Sequence, residues 1–552
     1  MFNRRRIAPD MPGLRITKFG GMAPINSDHS LPKHMAVVAE NVDLSRHTLR
    51  PWRAPAKVAE GAGRALWREE CCTLTFDDCH ASVAYAAINC GRVFATDTGH
   101  GYPVTAKVAD ACAGTWCRLG FPCGIPAPVA AAPAPAAFAD NIHRRQLRSY
   151  VYRLRNAFGE MSQPSPASIE VEVDSTAVVT VTGIPAAFPG WCVEAVLIYR
   201  SEQELTYGAD KQDIDGSFFL IGEVPLGTTD FSDDPAAVQP EDELDGEEFD
   251  EPPANLRFVR YWGDAQLSGL AGDALVFSLK HHYHAWPSRL AVTFHSTPRA
   301  WVVGKSTGYV LTDGSPAIVA LKGDCEGGNC HQVRELDDKH PIVSIRSAVT
   351  YNDHAIYATK DGLLMISPAG QCQLLTDDYF ARDQWQALEP WTMVGVVHDG
   401  HYFGFCRGQA IRLRIPDNVY EKPADIGLTT LTLLPSAVYR SDSDELYLLL
   451  ADGVHQWNAG TTFMTLRWRG ALLDMPAITA FAAYKVMHTN GDVTVRHWCD
   501  DELVDIEVVD SNLPQRLPLV SGLDWQAEIQ TRGEVREFHI ASSVRDLAQG
   551  AG

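Results

Sequence analysis

The residues of this chain best suited to chemistry are histidines that lie close together in sequence. His282 and His284 are two positions apart within the segment 280–287, which reads Lys-His-His-Tyr-His-Ala-Trp-Pro. On a strand, two such side chains share a face, and imidazole nitrogens bind zinc. A zinc site needs three or four ligands, however, and the others are not evident. We therefore expect a strand end that runs into a Trp-Pro turn, with a metal site as the lesser alternative.

Cysteines form a second group of candidate ligands. Cys325, Cys330 and His331 lie near one another across a Glu-Gly-Gly-Asn stretch. This spacing would suit a disulfide or a metal knuckle, but we favour a loop with unpaired thiols. The chain has 13 cysteines, an odd number, which do not suggest the disulfide framework of a small secreted protein. We therefore expect reduced thiols, no metal and no cofactor.

Five further cysteines and the known catalytic motifs add no signature of chemistry. The spacings of Cys112, Cys117 and Cys123 fall outside those of common metal-binding pairs. Cys71 and Cys72 are adjacent, so a disulfide between them would strain the backbone. The sequence has no phosphate-binding Gly-x-x-x-x-Gly-Lys loop and no His-Glu-x-x-His motif. We expect that the protein is not an enzyme.

The charge of the chain restricts its partners. The 552 residues include 47 basic and 69 acidic ones, which gives a formal net charge of −22. Such a surface repels nucleic acid, so sequence-specific binding of duplex DNA is not expected. A negative channel wall can, in contrast, let a polyanion pass without sticking. No apolar run reaches the roughly 20 residues that span a membrane, and no apolar segment follows Arg4, Arg5 and Arg6, so we expect neither a membrane span nor a secretory signal.

A short hairpin unit recurs along the chain and would position any site. It consists of an apolar strand, an Asp-Gly turn and a second apolar strand. Asp-Gly favours tight hairpins because both residues tolerate positive φ. Hairpins repeated at intervals of tens of residues are typical of a β-propeller or a large β-sandwich. The turns are Asp313-Gly314, Asp361-Gly362, Asp399-Gly400 and Asp452-Gly453.

The chain divides into five segments by composition. A Pro/Ala-rich run predicts an extended linker, because proline fixes φ and removes a backbone donor. The alternating β-branched segment after it predicts a small β-sandwich. Helical periodicity is scarce, and the best candidate is 377–388. The predicted segments are 1–121 with the first propeller blade or blades, 122–145 as the linker, 146–234 as the sandwich, 235–256 as an acidic loop and 257–552 as the remaining blades and closing strands.

The acidic loop is the candidate functional segment. Together with Asp233 and Asp234 it concentrates ten like charges in a stretch that also contains Gly and Pro, so we expect it to be solvated and mobile. We expect a lumen-facing or tip-facing gate here, with a solvated linker as the simpler alternative. The site residues are Glu241, Asp242, Glu243, Asp245, Glu247, Glu248, Asp250 and Glu251.

The order of several motifs resembles the tail tubular or nozzle proteins of short-tailed bacteriophages. Near the start, 39–44 followed by 48–51 is similar to the opening that these proteins share, with His47 where they have Gly. Residues 149–234 resemble their fibronectin-III-like insertion, an immunoglobulin-like β-sandwich. The other matching pieces are Phe277-Ser278 with 284–287, then 310–316, 344–349, Asp361-Gly362-Leu363, Gln384-Trp385 and the closing strand 535–543.

This resemblance implies a mainly β fold, a β-propeller with an inserted fibronectin-III-like sandwich. It implies a structural protein of the virion tail, made in the host cytoplasm, that forms a homohexameric ring below the portal and the head-to-tail adaptor protein. Viral DNA would pass through the ring during genome ejection without sequence-specific binding, and tail fibres would be further partners. The resemblance implies no catalytic residues.

Two other functions compete with the tail protein. One is a secreted or surface β-propeller module that binds glycans, and it would require an export signal. The other is a propeller glycosidase, which would require a clustered acid and nucleophile at the propeller mouth. The tryptophans could serve a glycan platform, but we expect them to fill β cores. They are Trp191, Trp262, Trp286, Trp385, Trp391, Trp457 and Trp468.

Overall fold

The structure is a computed structural model that describes most of the chain. The described residues are 13–69, 72–87, 91–133, 145–205, 217–244, 249–263, 265–321, 331–416 and 427–549. They form two compact units, of which the first draws on 1–80, 295–321 and 331–552, and the second on 81–294 and 322–330. Strands dominate both units. The chain therefore has the mainly β composition that its sequence predicts.

The N-terminal strands belong to the first unit and are short. Their bounds are β1 (Leu14–Ile16), β2 (Ala36–Glu40), β3 (Val42–Asp43), β4 (Arg50–Pro51), β5 (Ala56–Ala59), β6 (Ala65–Glu69) and β7 (Cys72–Phe76).

The second unit follows with fifteen strands and one short helix in its described part. These are β8 (Ser82–Ala86), β9 (Arg92–Thr96), β10 (Val104–Lys107), α1 (Val108–Cys112), β11 (Cys117–Arg118), β12 (Val129–Ala131), β13 (Arg145–Asn156), β14 (Val171–Asp174), β15 (Val179–Thr182), β16 (Val193–Leu205), β17 (Phe219–Pro225), β18 (Asp230–Asp233), β19 (Leu256–Trp262), β20 (Gln266–Ala271), β21 (Ala274–Phe277) and β22 (Val292–Thr293).

The rest of the chain returns to the first unit. Its elements are β23 (Pro298–Val303), β24 (Thr307–Thr312), β25 (Ala317–Leu321), β26 (His331–Glu335), β27 (Val349–Tyr351), β28 (His354–Ala358), β29 (Leu363–Ile366), β30 (Cys372–Leu374), α2 (Arg382–Ala387), β31 (Val394–His398), β32 (His401–Phe405), β33 (Ala410–Arg414), β34 (Leu428–Leu431), β35 (Ala437–Arg440), β36 (Leu446–Leu450), β37 (Gly453–Gln456), β38 (Leu466–Gly470), β39 (Leu473–Thr479), β40 (Ala483–Thr489), β41 (Val493–Cys499), β42 (Glu502–Val509), β43 (Gln515–Arg516), β44 (Gly522–Thr531), β45 (Glu534–Ala541) and α3 (Val544–Gln549).

Four-stranded antiparallel meanders recur in both units. The second unit contains the sheets β11-β10-β9-β8 and β19-β20-β21-β22, and the first contains β23-β24-β25-β26 and β27-β28-β29-β30. Each strand pairs with its neighbour in sequence, which is the construction of a propeller blade. The sheet β35-β36-β37 takes its fourth strand from β5 near the N-terminus. The fold is thus of β-propeller type.

A β-sandwich is inserted in the second unit between two blade-like sheets. One of its layers is β14-β13-β16-β17 and the other is β12-β15-β18. Their inner faces share a core that includes Tyr150, Tyr152, Val196 and Ile198, each fully buried. The predicted sandwich is therefore present. Its first strand, β12, lies inside the segment predicted as the linker 122–145 and pairs with β15.

The Asp-Gly hairpins are confirmed. Asp361-Gly362 joins β28 to β29, where Ala358 is opposite Leu363. Asp399 and Gly400 have φ values of 48° and 68°, so they form the two-residue turn between β31 and β32 that such residues favour. Asp313-Gly314 likewise lies between the paired strands β24 and β25. At the fourth hairpin the turn is Ala451-Asp452, and Gly453 is the first residue of β37, opposite Leu450.

The structure bears on two local predictions, the helix at 377–388 and the residue His47. The helix expected at 377–388 is shorter, because only Arg382–Ala387 is helical. His47 has φ 58°, in the left-handed region that favours glycine. The tail proteins that the chain resembles have Gly at this position, and the backbone of His47 has the conformation that glycine adopts most easily.

The first unit has a large core of its own. The longest sheet runs β31-β32-β33-β34-β2-β38-β44-β41-β42, and β39 also pairs with β44. A second sheet, β1-β45-β40-β43, brings the two ends of the chain together. Trp385, Trp468 and Trp525 are almost fully buried in the core cluster that these sheets share.

Candidate functional site

The candidate acidic segment is fixed where the structure describes it. Leu220 donates its N–H to the carbonyl of Asp242 at 2.9 Å and accepts a bond from the N–H of Glu241 at 2.8 Å. The N–H of Leu244 donates to Phe218 at 2.7 Å. Residues 241–244 thus lie along β17 as an added stretch of sheet, which differs from the mobile loop that the sequence predicts. Asp245, Glu247 and Glu248 lie outside the described residues.

The carboxylates of this stretch point into solvent. Glu241, Asp242 and Glu243 are all exposed, and only Glu243 has a described side-chain partner, since it accepts a hydrogen bond from Ser217 Oγ at 2.6 Å. Leu244, in contrast, packs with Leu197 and other residues of a small apolar cluster. We call Glu241, Asp242 and Glu243 the acidic strip. It presents three negative charges on a backbone that the sheet holds in place.

The carboxylate of Asp250 does not point freely into solvent but accepts hydrogen bonds from other parts of the second unit. Its Oδ1 accepts a hydrogen bond from Gln163 Nε2 at 3.1 Å, and its Oδ2 accepts one from the N–H of Ser288 at 3.3 Å. Its backbone carbonyl accepts a third bond from Trp286 at 2.8 Å. The carboxylate therefore joins the sandwich to the turn after β21.

Glu251 lies in a cleft of about 400 Å³ within the second unit. Phe121 and Phe249 provide its aromatic surface, and the stretch Ser162–Pro166 forms another wall. The thiol of Cys123 also lines the cleft, and its hydrogen bond to Glu251 and the charge of that carboxylate raise the pKa of the thiol. A thiol kept protonated is a poorer nucleophile than the thiolate.

The wall of the cleft is shaped by a repeat of serines. Ser162, Ser165 and Ser168 are spaced by three residues, which is the repeat of an extended polyproline-type segment. Each serine donates its N–H to the carbonyl of one residue of β13 and accepts the N–H of that same residue at its Oγ. The backbone groups at this edge of β13 therefore have hydrogen-bond partners without a neighbouring strand. The pairs are Ser162 with Leu154, Ser165 with Tyr152 and Ser168 with Tyr150, with N–H···Oγ distances of 2.9, 3.0 and 3.0 Å.

A buried charge cluster lies beside the cleft. Arg92 makes a bidentate ion pair with Glu160, with N–O distances of 2.6 and 3.1 Å. His284 Nδ1 lies 3.5 Å from the same carboxylate. Burial alone would raise the pKa of Glu160, but its interactions with His284 and Arg92 outweigh burial and hold the pKa well below its usual range. The Arg92 guanidinium also lies 3.8 Å from the ring centroid of Phe158.

The histidine pair does not form a metal site. His284 is buried against Phe121 and Phe249, and the rings of His282 and His284 meet edge to face at 5.7 Å. Both residues lie beyond the end of β21, His282 in an isolated bridge with Leu279 and His284 in a turn. Among the described residues, no group of three or more His, Cys, Asp or Glu side chains could hold a metal ion. Cys325 and Cys330 lie outside the described residues.

The expected placement of Asp233 in the solvated acidic loop is wrong. Asp233 is the last residue of β18 and is completely buried. Its carboxylate accepts hydrogen bonds from Tyr150 Oη at 2.7 Å and from Arg200 at 2.7 Å, and Arg148 lies at 3.7 Å. Burial and the charge of Asp233 raise the pKa of the Tyr150 hydroxyl. The position is part of the sandwich core because β18 alternates inward and outward.

The expectation of reduced thiols is also wrong. Cys117 and Cys192 form a disulfide with an S–S distance of 1.97 Å. Cys72 and Cys112 each take part in a disulfide as well. Cys117 and Cys192 are 75 residues apart, and the hydrogen bond from Arg118 N–H to Gly190 at 2.7 Å brings their strands together. Local spacing could not reveal this pairing. Free cysteines in the described chain are Cys79, Cys123, Cys372, Cys406 and Cys499.

One sequence motif needs the structure to be interpreted. Gly304-Lys305-Ser306-Thr307-Gly308 has the Gly-x-Ser-x-Gly spacing of a hydrolase nucleophile elbow. Such an elbow joins a strand to a helix, whereas this segment turns between β23 and β24. Ser306 donates its hydroxyl to Asp353 at 2.8 Å and has no histidine partner in the described residues. The segment is a hairpin turn.

Tryptophan burial fits the interpretation that these rings fill cores. Of the seven tryptophans considered from the sequence, six are buried and only Trp391 is exposed, at 57%. No helix in the described ranges is both long and apolar enough for a transmembrane span.

Comparisons with known proteins give no family. No family model matches the chain, and no curated protein matches it. Among solved structures, the chain is similar to the extracellular domain of BT4673 from B. thetaiotaomicron, with 11% identity and a TM-score of 0.24 over 56% of this chain and 38% of that chain. It is also similar to the AfRom2 CNH domain, with 9% identity and a TM-score of 0.26 over 57% and 92% of the two chains. A third is PorZ of Porphyromonas gingivalis, with 12% identity and a TM-score of 0.24 over 55% and 43%.

Proposed function

We propose that this protein is a structural component of a short-tailed bacteriophage tail. It forms a sixfold ring below the portal and the head-to-tail adaptor protein, and viral DNA passes through that ring during ejection. The proposal rests on the order of the motifs along the chain, and blade-like sheets with an inserted sandwich are consistent with it. The protein has no catalytic role in this function, and it acts in the virion after synthesis in the host cytoplasm.

The observation that carries the proposal is the acidic strip. Three exposed carboxylates lie on a backbone that β17 fixes, in a chain of net charge −22. Fixed negative charge on a channel wall repels the phosphates of DNA and keeps a passing duplex from adhering. A flexible acidic tail would be displaced by the duplex, whereas a strip bound to a sheet keeps its position.

A glycan-binding module of a secreted or surface protein is the second candidate. The Cys117–Cys192 disulfide favours it, because disulfides persist in oxidising surroundings. The cleft beside Phe121 and Phe249 offers aromatic surface to a sugar. Virion surfaces are oxidising surroundings too, so the disulfide is compatible with both functions.

The deciding experiment is native mass spectrometry with negative-stain imaging of the purified chain, alone and mixed with the adaptor complex of its own phage. A hollow ring, formed alone or on the adaptor, is the expected result. A monomer that ignores the adaptor and binds a component of a glycan array would overturn the proposal and support the second candidate.

A further inference from the structure

One face of the longest sheet in the first unit carries an unusual set of side chains. Cross-strand partners in an antiparallel sheet point to the same side, so the register defines the face. Three rows cross it from β38 or β44 through β41 to β42. They are Arg467-Gln530-Thr494-Val508, Arg469-Glu528-Arg496-Ile506 and Gln526-Trp498-Leu503.

The row ends on β42 are apolar and exposed. Leu503, Ile506 and Val508 are 48%, 56% and 61% exposed, and we call them the β42 stripe. A bulge opposite His497 and Trp498 keeps Leu503 on the same face as the other two, while Val504 packs toward the core. The stripe lies on the face that water reaches, where alternation would normally place polar residues.

The edge of β42 is open as well. β42 is the last strand of its sheet, and its outer side pairs with no other described strand. Proteins usually protect a long edge strand with lysine, proline or a covering loop. The sequence Glu-Leu-Val-Asp-Ile-Glu-Val-Val contains neither lysine nor proline. An eight-residue edge with this composition is suited to contact with another chain.

Arginines surround the stripe on its inner side. Glu528 is buried between Arg467 and Arg496, at 2.8 and 2.9 Å. Arg469 stacks on Trp498, with 3.9 Å between the guanidinium carbon and the ring centroid. Three arginines and one glutamate give these rows a positive balance in a chain whose net charge is −22. Arginine and tryptophan are also the residues that most often carry binding energy at interfaces.

We propose that the β42 stripe and the arginines beside it are the surface by which one copy of this chain docks on the next copy. The inference rests on the proposed ring, and it names the contact that builds it. Because the face is apolar and positive while the rest of the chain is strongly acidic, its complement is the acidic surface of a second copy. Contact between two different patches of identical chains builds a ring when the rotation from one copy to the next closes, as the proposed sixfold ring requires.

The size of the stripe fits the centre of such a contact. Three aliphatic side chains at about half exposure present on the order of 300 Å² of apolar surface, which is within the size range of the largest patch on a typical monomer, and such patches are often functional. A stable interface buries about 800 Å² per partner, with an apolar centre and a polar rim. The arginine rows supply that rim on one side of the stripe.

The test compares assembly of three full-length proteins by native mass spectrometry and light scattering, alone and on the adaptor complex. The variant Ile506→Asp/Val508→Asp places negative charges in the stripe, which the acidic surface of a second copy would repel, while leaving core residues unchanged. Ile169→Asp is the control, because Ile169 is 87% exposed and lies in the second unit. We expect the double variant to need at least a tenfold higher protein concentration to form rings. The control should assemble like the natural chain. Circular dichroism and thermal melting of all three establish that each is folded.

A photo-crosslinking amino acid at position 506 provides a second measurement that does not depend on an aspartate variant. Linkage to a second copy is expected, and linkage only to the adaptor would overturn the inference. Normal rings from the double variant would overturn it while leaving the proposed function standing. If the natural chain forms no ring under either condition, the proposed function and this inference both fail.

Discussion

At the scale of single residues, the buried pair of Arg92 and Glu160 has a large energetic consequence. Both side chains are about nine-tenths buried, and His284 lies on the same carboxylate. Removing two charges from water is costly, and only close, complete pairing offsets that cost. The cluster therefore stabilises the second unit only while all of its members are present.

We expect Glu160→Gln to destabilise the second unit by about 3 kcal/mol, because it leaves the Arg92 guanidinium buried without a counter-charge. Urea unfolding followed by tryptophan fluorescence measures the loss. Glu223→Gln is the control, since it breaks an ion pair with Arg155 that is about 40% exposed, and it should cost less than about 1 kcal/mol. Equal losses of stability in the two variants would show that burial of the Arg92–Glu160 pair does not make its loss more costly.

The same carboxylate gives the stability a defined dependence on pH. The pKa of Glu160 in the folded protein lies well below its usual range, while the unfolded chain has an ordinary value near 4.3. The ion pair therefore contributes its full stability above the unfolded pKa and loses it as the pH falls toward the folded pKa. The urea midpoints of the natural chain and of Glu160→Gln should differ at pH 5 and lie closer together at pH 3. A constant gap would show that the charge is not the cause.

The disulfide between Cys117 and Cys192 leads to a further prediction at this scale. It closes a loop of 75 residues, so replacing both cysteines by serine should cost about 4 kcal/mol through the entropy of the unfolded chain. Denaturation of the oxidised protein checks this value. Cys372→Ser is the control because Cys372 is free and exposed. A double variant as stable as the control would show that the bridge does not constrain the unit.

At the scale of elements, the serine repeat replaces a strand. Ser162, Ser165 and Ser168 occupy the edge of β13 that β14 leaves free, because β14 pairs only with Arg145–Arg148. Each Oγ accepts a backbone N–H that would otherwise be buried without a partner. The period of three in the serines matches the geometry of an extended segment and not that of a strand.

We expect Ser165→Ala to destabilise the sandwich by about 1–3 kcal/mol, because the buried N–H of Tyr152 loses its acceptor. Hydrogen exchange at Tyr152 and thermal melting measure the effect together. Ser27→Ala, at an exposed turn, is the control and should change the melting temperature little. Unchanged protection of the Tyr152 amide would rule out the proposed role of the serine.

The elements also show how far the sequence can be interpreted alone. The turn at Asp399-Gly400 is predictable because its positive φ values depend on the two residues themselves. The position of Asp233 is not, because its burial depends on Tyr150 and Arg200, which come from other strands. Local patterns therefore identify most strands but not their partners.

The candidate site follows the same rule. The concentration of charge at 241–251 is visible in the sequence, but its attachment to β17 is not. One signal was present: Leu244 and Phe249 interrupt the acidic run, and both pack against the folded chain. The disulfide between Cys117 and Cys192 had no comparable local signal, since only the meeting of distant strands creates it.

At the scale of the whole molecule, the proposed function predicts that the acidic strip controls how the protein interacts with DNA. Glu241→Gln/Asp242→Asn/Glu243→Gln lowers the negative charge from −22 to −19 without touching the backbone bonds to β17. We expect this variant to retain duplex DNA at low salt, where the natural protein does not, and to lose that retention as salt screens the interaction. Electrophoretic mobility of DNA at 20 and 200 mM salt is the measurement.

Neutralising three exposed carboxylates elsewhere provides the comparison for that experiment. Asp28, Asp474 and Asp510 are exposed and lie in the first unit. Their combined change to Asn removes the same charge and should leave DNA retention near that of the natural protein. Equal retention by the two triple variants would assign the effect to total charge and not to the acidic strip.

The pairing of β1 with β45 has a consequence for how the protein is made. Leu14 lies opposite Ile540, so β1 finds its partner only after residue 540 has been synthesised. At about 5–20 residues per second, the ribosome needs on the order of a minute to deliver that partner. During this time the first sheet cannot close, and contacts between such distant positions also form slowly. Premature termination shortly before β45 would leave β1 without its neighbour.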